Sequence, residues 1–225
     1  MHPGQSTEAP CDMTTKLVHS EDPGALSAVR RVLAEQACFA MPTDTVYGLC
    51  ADPRGNASVQ SLFAAKGRPE SKAIPVLLGS LAQLPEIAAM PLPPLTEHLA
   101  EHFWPGPLTL ILEARAGLPD ALLAGGATVA VRVVANPVFR RIALVTGPLA
   151  TTSANRSGGK DCQTADQVMA QLAGRIPLVL DGGASPDTRP STIVSQEGEG
   201  IRILRTGSLE PAVRRFAEQY GASVQ

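Results

Sequence analysis

Thr128-Val129-Ala130-Val131-Arg132-Val133-Val134 decides the fold. The run is β-branched and alternates poorly between apolar and polar, so it predicts a strand covered on both faces. Arg132 is the exception in it, because a cation inside such a strand is rarely tolerated without a partner. Outward on the C-terminal side, Pro137 opens a helix expected to reach about Val145. Gly147-Pro148-Leu149-Ala150-Thr151-Thr152-Ser153-Ala154-Asn155 then passes from apolar strand into a hydroxyl-rich loop that ends at Gly158-Gly159. A helix over Thr164–Leu172 and a strand over Pro177–Leu180 follow. Ser191–Val194 and Ile201–Leu204 read as a hairpin, and Ser208 caps a last helix to Tyr220, stopped by Gly221.

The N-terminal side continues the same alternation. Asp22-Pro23 opens a helix whose buried face is Leu26, Val29, Val32 and Leu33; Cys38–Pro42 is a short apolar strand. If the next residues stay extended, Thr43, Thr45 and Tyr47 face one side together. Asn56 caps a helix with Val59, Leu62 and Phe63 on one face, and Ile74–Leu78 is an apolar strand. Ser80 caps a short helix. Thr96–Phe103 forms another, and Trp104-Pro105-Gly106-Pro107 turns the chain into the strand Leu108–Leu112. Strands alternating with helices, closed by a hairpin, predict a single-domain α/β fold with a twisted, open, mixed sheet flanked by helices. Met1 to about Thr15 is polar and aperiodic and is expected to be a disordered tail, leaving residues 16–225 as the domain.

Composition narrows the classes. Among 225 residues, 44% are hydrophobic and 18% charged, a globular balance, and the net charge of −2 gives no global field for nucleic acid. An anion site must therefore be a local concentration of cations. No apolar run approaches ~20 residues and no secretory leader is legible, so a cytoplasmic protein without a membrane segment is expected. Cys11, Cys38, Cys50 and Cys162 contain no C-x-x-C pair, which excludes a zinc ribbon and leaves reduced thiols.

Ala65-Lys66-Gly67-Arg68-Pro69 puts two cations where a helix stops, since Gly67 suits a left-handed end and Pro69 holds Arg68 extended. Both could simply answer the helix dipole. His98-Leu99-Ala100-Glu101-His102 matches a zinc-protease pattern, but the helix is short and no third carboxylate follows, so a polar rim beside Leu95, Leu99 and Phe103 is expected instead. Neither a phosphate-binding P-loop nor a nucleophile elbow is present. What remains is cations and hydroxyls at the ends of elements: Thr43, Thr45, Tyr47, Lys66, Arg68, Arg132, Ser153, Asn155, Ser191 and Arg205. In an open α/β sheet such ends share an edge where ligands bind. At an effective dielectric of ~20, a unit charge pair at ~4 Å is worth about 4 kcal/mol, so convergence of these cations would demand an anionic ligand.

Pro42-Thr43-Asp44-Thr45-Val46-Tyr47-Gly48-Leu49, Lys66-Gly67-Arg68-Pro69, Trp104-Pro105-Gly106-Pro107-Leu108-Thr109, Ser153-Ala154-Asn155-Arg156-Ser157-Gly158, Ser191-Thr192-Ile193-Val194 and Ile203-Leu204-Arg205 follow one another in this order. Together they resemble the YrdC-like family, the L-threonylcarbamoyladenylate synthases, over roughly residues 25 to 208. The resemblance implies a large, positively lined cavity and an activity that converts L-threonine, bicarbonate and ATP into threonylcarbamoyl-AMP and pyrophosphate. It implies Mg²⁺ arriving with ATP, and a downstream transferase complex that moves the group onto tRNA beside the anticodon, so that tRNA is an indirect partner. By the same likeness Lys66 and Arg68 are the catalytic cations. Lys66, Arg68, Thr128, Ser153, Asn155, Thr164 and Arg205 take ATP, and Thr43, Tyr47, Arg68, Arg132, Ser153 and Ser191 take threonine. Longer members carry a further C-terminal domain, and this chain resembles the short form. An RNA-binding module and a carbamoyl-transfer relative acting on another acceptor are the rival readings.

Overall fold

The computed structural model describes residues 13–67, 72–186 and 189–225. The valine-rich run forms a strand over Thr128–Val133 (β6). Val129, Val131 and Val133 are buried in the core on one face. The other face, Ala130 and Arg132, opens onto a cavity. The expectation of cover on both faces is thus corrected: poor alternation arises because an arginine interrupts the apolar run, and that side receives solvent or ligand instead of a helix.

Ten strands form one mixed sheet among the described residues. In chain order they are β1 (Lys16–His19), β2 (Phe39–Pro42), β3 (Tyr47–Ala51), β4 (Val76–Leu78), β5 (Leu108–Glu113), β6, β7 (Leu149–Ser153), β8 (Leu178–Asp181), β9 (Thr192–Glu197) and β10 (Gly200–Arg205). Their spatial order is β1-β8-β2-β3-β7-β4-β6-β5-β9-β10. The pairs β1/β8, β2/β8, β4/β6 and β5/β9 are parallel, and β2/β3, β3/β7, β4/β7, β5/β6 and β9/β10 antiparallel. The terminal hairpin is β9/β10. The helices are α1 (Ala25–Ala34), α2 (Asn56–Lys66), α3 (Pro94–Phe103), α4 (Asp120–Leu123), α5 (Pro137–Thr146), α6 (Ala165–Leu172) and α7 (Glu210–Gln219), with a 3-10 turn over Leu81–Glu86.

Two apolar clusters show how the sheet is covered. Residues of α2, α3, α4, α6 and α7 join one. Residues of α1 and α5 join the other, over Phe39, Met41, Cys50, Leu149, Leu178 and Leu180. Leu77 belongs to the second cluster and also lines the cavity, so the cavity opens on the face where α1 and α5 leave the later strands uncovered.

Several local expectations are corrected. Thr43–Val46 is a turn joining β2 to β3, because the Thr43 amide and hydroxyl both donate to the Val46 carbonyl at 3.2 and 2.7 Å. Gly55, not Asn56, precedes α2, and Ser80 makes no capping bond to the 3-10 turn that follows it. Strand β1 and helix α4 had no sequence signal. The tail expectation falls on residues 1–12, outside the described residues, and on Met13–Thr15, where the Thr15 hydroxyl donates to the Ile176 carbonyl. Among the described residues no helix is long and apolar enough to cross a membrane. His98 packs at a tilt on Tyr220, the residue that follows α7, and His102 on Phe216 within it, at 4.7 and 4.6 Å between centroids, which joins α3 to α7.

Candidate active site

A cavity of about 530 Å³ lies on the open face, within the range of small-molecule sites. Its floor follows from strand register. Leu77 pairs with Arg132, Thr109 with Ile193, and Ile193 with Arg205; extending the Leu110–Val131 register by one step puts Thr109 opposite Arg132. These residues form one row across β4, β6, β5, β9 and β10, and all of them line the cavity. Gly48, Thr151 and Ser153 continue the lining from β3 and β7. Lys72, Arg132, Arg189 and Arg205 supply positive charge to the walls, opposed by Asp161. Gly48 keeps the floor low, because a Cβ there would meet Thr151 Cγ2 at 2.6 Å.

Lys66 ends α2, and Gly67 stops it in the left-handed region at φ 62° as the sequence suggested. The dipole role offered for Lys66 is filled by a residue from elsewhere. Arg175 donates from Nε to the Ala65 carbonyl at 2.7 Å and from Nη2 to the Ala64 carbonyl at 3.2 Å. Lys66 turns instead to the end of β7. Its ammonium donates to the Ser153 carbonyl, to the Asn155 carbonyl at 2.8 Å and to Asn155 Oδ1 at 3.1 Å. Asn155 Nδ2 in turn donates to Arg156 O at 3.0 Å and Gly159 O at 2.7 Å. Lys66 thereby organises the hydroxyl-rich loop, and it reaches the cavity through Ser153, since neither Lys66 nor Asn155 is itself a lining residue. Arg68 lies outside the described residues.

Arg132 is 5% exposed, and its Nη1 lies 3.2 Å from Asp44 Oδ1. Burial pushes its pKa down, Asp44 pulls it back up, and the nearby charge of Arg205 pushes it down further. Burial lowers that of Arg205 too. Arg205 donates from Nε to the Ser191 carbonyl at 3.0 Å and from Nη2 to the Ser191 hydroxyl at 2.8 Å; the Ser191 and Thr109 hydroxyls are 2.8 Å apart. The sheet thus brings the two arginines, distant in sequence, onto one cavity wall.

Thr43 and Tyr47 also line the cavity. The Tyr47 hydroxyl donates to the Gly183 carbonyl at 2.7 Å, and burial above all raises its pKa. It ties β3 to the segment after β8. Thr128 and Thr164 are not brought to the cavity wall. Thr128 is exposed at the start of β6, and the Thr164 hydroxyl caps α6 by accepting from the Gln167 amide at 3.3 Å. Sequence reasoning missed Asp44, Lys72, Thr109, Arg175 and Arg189. Asp44 and Thr109 stood inside quoted motifs, but only register and the turn show what they touch.

A mixed open sheet with helices on both faces and a cation-lined hollow in one of them defines an α/β domain suited to an anionic ligand. The family model Sua5_yciO_yrdC, described as Telomere recombination, matches residues 31–207, and the chain belongs to this family. It is 36% identical over 178 residues to a threonylcarbamoyl-AMP synthase of Pyrococcus abyssi, covering 79% of this chain and 52% of the relative. The chain therefore spans about half the length of that protein. It is 37% identical over 179 residues to a threonylcarbamoyl-AMP synthase of Vibrio cholerae, covering 78% of this chain and 93% of the relative. The solved structure of P. abyssi Sua5 complexed with L-threonine superposes with a TM-score of 0.85 at 29% identity, over 95% of this chain and 63% of that one.

Proposed function

We propose that this protein is a nucleotidyltransferase that makes L-threonylcarbamoyl-AMP and pyrophosphate from L-threonine, bicarbonate and ATP. The observation that carries the reading is the meeting of Arg132 and Arg205 on one cavity whose lining also includes Ser153, held by Lys66. Such a cavity suits a triphosphate beside a small carboxylate, and relatives bearing the synthase name cover most of the chain.

In this reading Arg132, Thr43, Ser191 and Tyr47 surround the threonine, with its carboxylate toward Arg132. Ser153 stands between the threonine and the nucleotide. Arg205, Lys66, Asn155 and Arg68 serve the nucleotide side, with Thr128 and Thr164 as more distant contributors. The threonine amine attacks the bicarbonate carbon, a C–N bond forms, and water is lost to leave a carbamate. A carbamate oxygen then attacks the α-phosphorus, and the bond to the β-phosphate oxygen breaks to release pyrophosphate. No side-chain nucleophile is required. The chain supplies alignment and positive charge for the phosphorus centre and the leaving group.

Mg²⁺ is proposed to enter on the phosphates, held by their oxygens and water. A tRNA-modifying transferase complex would take the labile product onward, and on that reading the protein works in the cytoplasm. The test is mass spectrometry of the reaction with ¹³C-bicarbonate. The expected product is an adenylate carrying threonine and one labelled carbon; an unlabelled adenylate, or none, refutes the proposal.

A further inference from the structure

Asp44 has no role in the reading above, yet it is the carboxylate in contact with the most buried cation of the cavity. Its Oδ1 lies 3.2 Å from Arg132 Nη1, with the two side chains 10% and 6% exposed. Its Oδ2 accepts from the Ala135 amide at 3.3 Å, and beside it Asn136 Nδ2 donates to the Thr43 carbonyl at 3.3 Å. The turn after β2 is thereby fastened to the turn after β6, with the ion pair between them. Among the described residues Arg132 Nε and Nη1 have no hydrogen-bond partner, and neither has Asp44 Oδ1. The pair is in charge contact without an aligned hydrogen bond. That arrangement neutralises the guanidinium while leaving the N–H groups of Nε and Nη1 uncommitted to protein.

Arg132 also feels Arg205 across the row. A buried cation facing a second cation needs a counter-charge to keep its place. We infer that Asp44 is a positioning residue of this site: it holds the Arg132 guanidinium against the repulsion of Arg205, in the orientation that receives an anionic group of the amino-acid substrate. Asp44 is not among the residues that line the cavity and its Oδ1 is shut off from solvent, so it acts through Arg132.

This inference rests on the synthase reading for its substrate and on geometry for its positioning. Its test therefore has two arms. In the first, pyrophosphate release is measured with threonine and ATP varied separately, in wild type, Asp44→Asn and Asp44→Glu, with melting followed in each. Asp44→Asn is expected to raise the threonine KM of the order of 10–100-fold, with kcat and the ATP KM within about threefold, and Asp44→Glu to recover much of the loss. A threonine KM within about twofold of wild type in folded Asp44→Asn overturns it. So does a parallel rise of both KM values, or a loss of folding that Asp44→Glu does not repair, because either marks a merely structural contact. In the second arm, the ¹⁵N signal of Arg132 Nε, assigned by its disappearance in Arg132→Gln, is expected to be sharp in wild type and broadened in Asp44→Asn. An unchanged signal overturns the inference whatever the enzyme does. A wild type without threonine-dependent release, but with the expected spectra, refutes the synthase reading and leaves the positioning role standing.

Discussion

Lys66 Nζ donates to both oxygens of Asn155, at 2.8 Å to the carbonyl and 3.1 Å to Oδ1. A cation at the end of one helix thus fixes the loop that follows a strand on the cavity wall. The ammonium also donates to the carbonyl of Ser153, a cavity-lining residue, and so pins the start of this loop beside the cavity. Lys66→Ala is expected to lower the rate of pyrophosphate release about 10²–10³-fold, by analogy with the loss of one transition-state donor. Hydrogen exchange should also quicken over Ser153–Gly159. A rate near wild type would remove Lys66 from the mechanism.

Ser191 links Arg205 to Thr109 through its hydroxyl, while its carbonyl holds Arg205 Nε. Ser191→Ala removes the hydroxyl and keeps the carbonyl. A hydrogen bond to a charged group is worth about 1.5–3 kcal/mol. The variant is therefore expected to raise the KM for ATP and for threonine by about tenfold or more and, because this buried bond is already made without ligand, to lower the unfolding free energy by about 1–3 kcal/mol. Initial-rate measurements check this, and an ATP KM that does not move would detach Arg205 from the nucleotide.

Gly207 lies against the backbone of Pro190, Ser191 and Thr192. An added Cβ would lie 2.5 Å from the Pro190 carbonyl oxygen and 2.5 Å from the Ser191 carbonyl carbon. Backbone cannot move aside as a flexible side chain can. Gly207→Ala is expected to destabilise the protein by about 3 kcal/mol, read by urea unfolding, and to displace Ser191 from Arg205. At Gly221, where no atom lies within 4 Å but φ is 72°, alanine meets only backbone strain of about 1 kcal/mol.

Burial pushes the Cys38 thiol up to about 11 and the Cys50 thiol up to about 12, from an ordinary 9.0. The unfolded chain ionises these thiols above pH 9 and the folded chain does not, so the unfolded state gains. Their contribution is whole below about pH 9 and is lost as the pH rises toward 11–12. Tyr47, raised mainly by burial, adds a loss of the same sign at higher pH. Urea midpoints are expected to fall by a few kcal/mol equivalent across this window, and Cys38→Ala with Cys50→Ala to flatten the fall. A pH-independent midpoint would contradict the burial of both thiols.

The parts of the site legible in sequence are those where residue type clashes with its element. Arg132 stood out because a guanidinium does not belong in a valine-rich strand, and Lys66 because Gly67 ends its helix at a fixed place. Their contacts were not legible. Local pattern offered the helix dipole as the partner of Lys66, whereas Arg175, from more than a hundred residues away, occupies those carbonyls. Thr109 acquires meaning only from the β5/β6 and β5/β9 registers, and Asp44 only once Thr43–Val46 folds as a turn. Strand β1 escaped notice because it is an edge with Lys16, Leu17 and His19 exposed, so no buried face imposes alternation. The central strands and most helices were legible because their apolar faces meet the two cores directly.

The most direct test of the account is pyrophosphate release by the purified full chain, measured with all substrates and with each omitted in turn. Release from ATP is expected only when threonine and bicarbonate are both present. Release that persists without threonine, or a complete mixture that yields none, would contradict it.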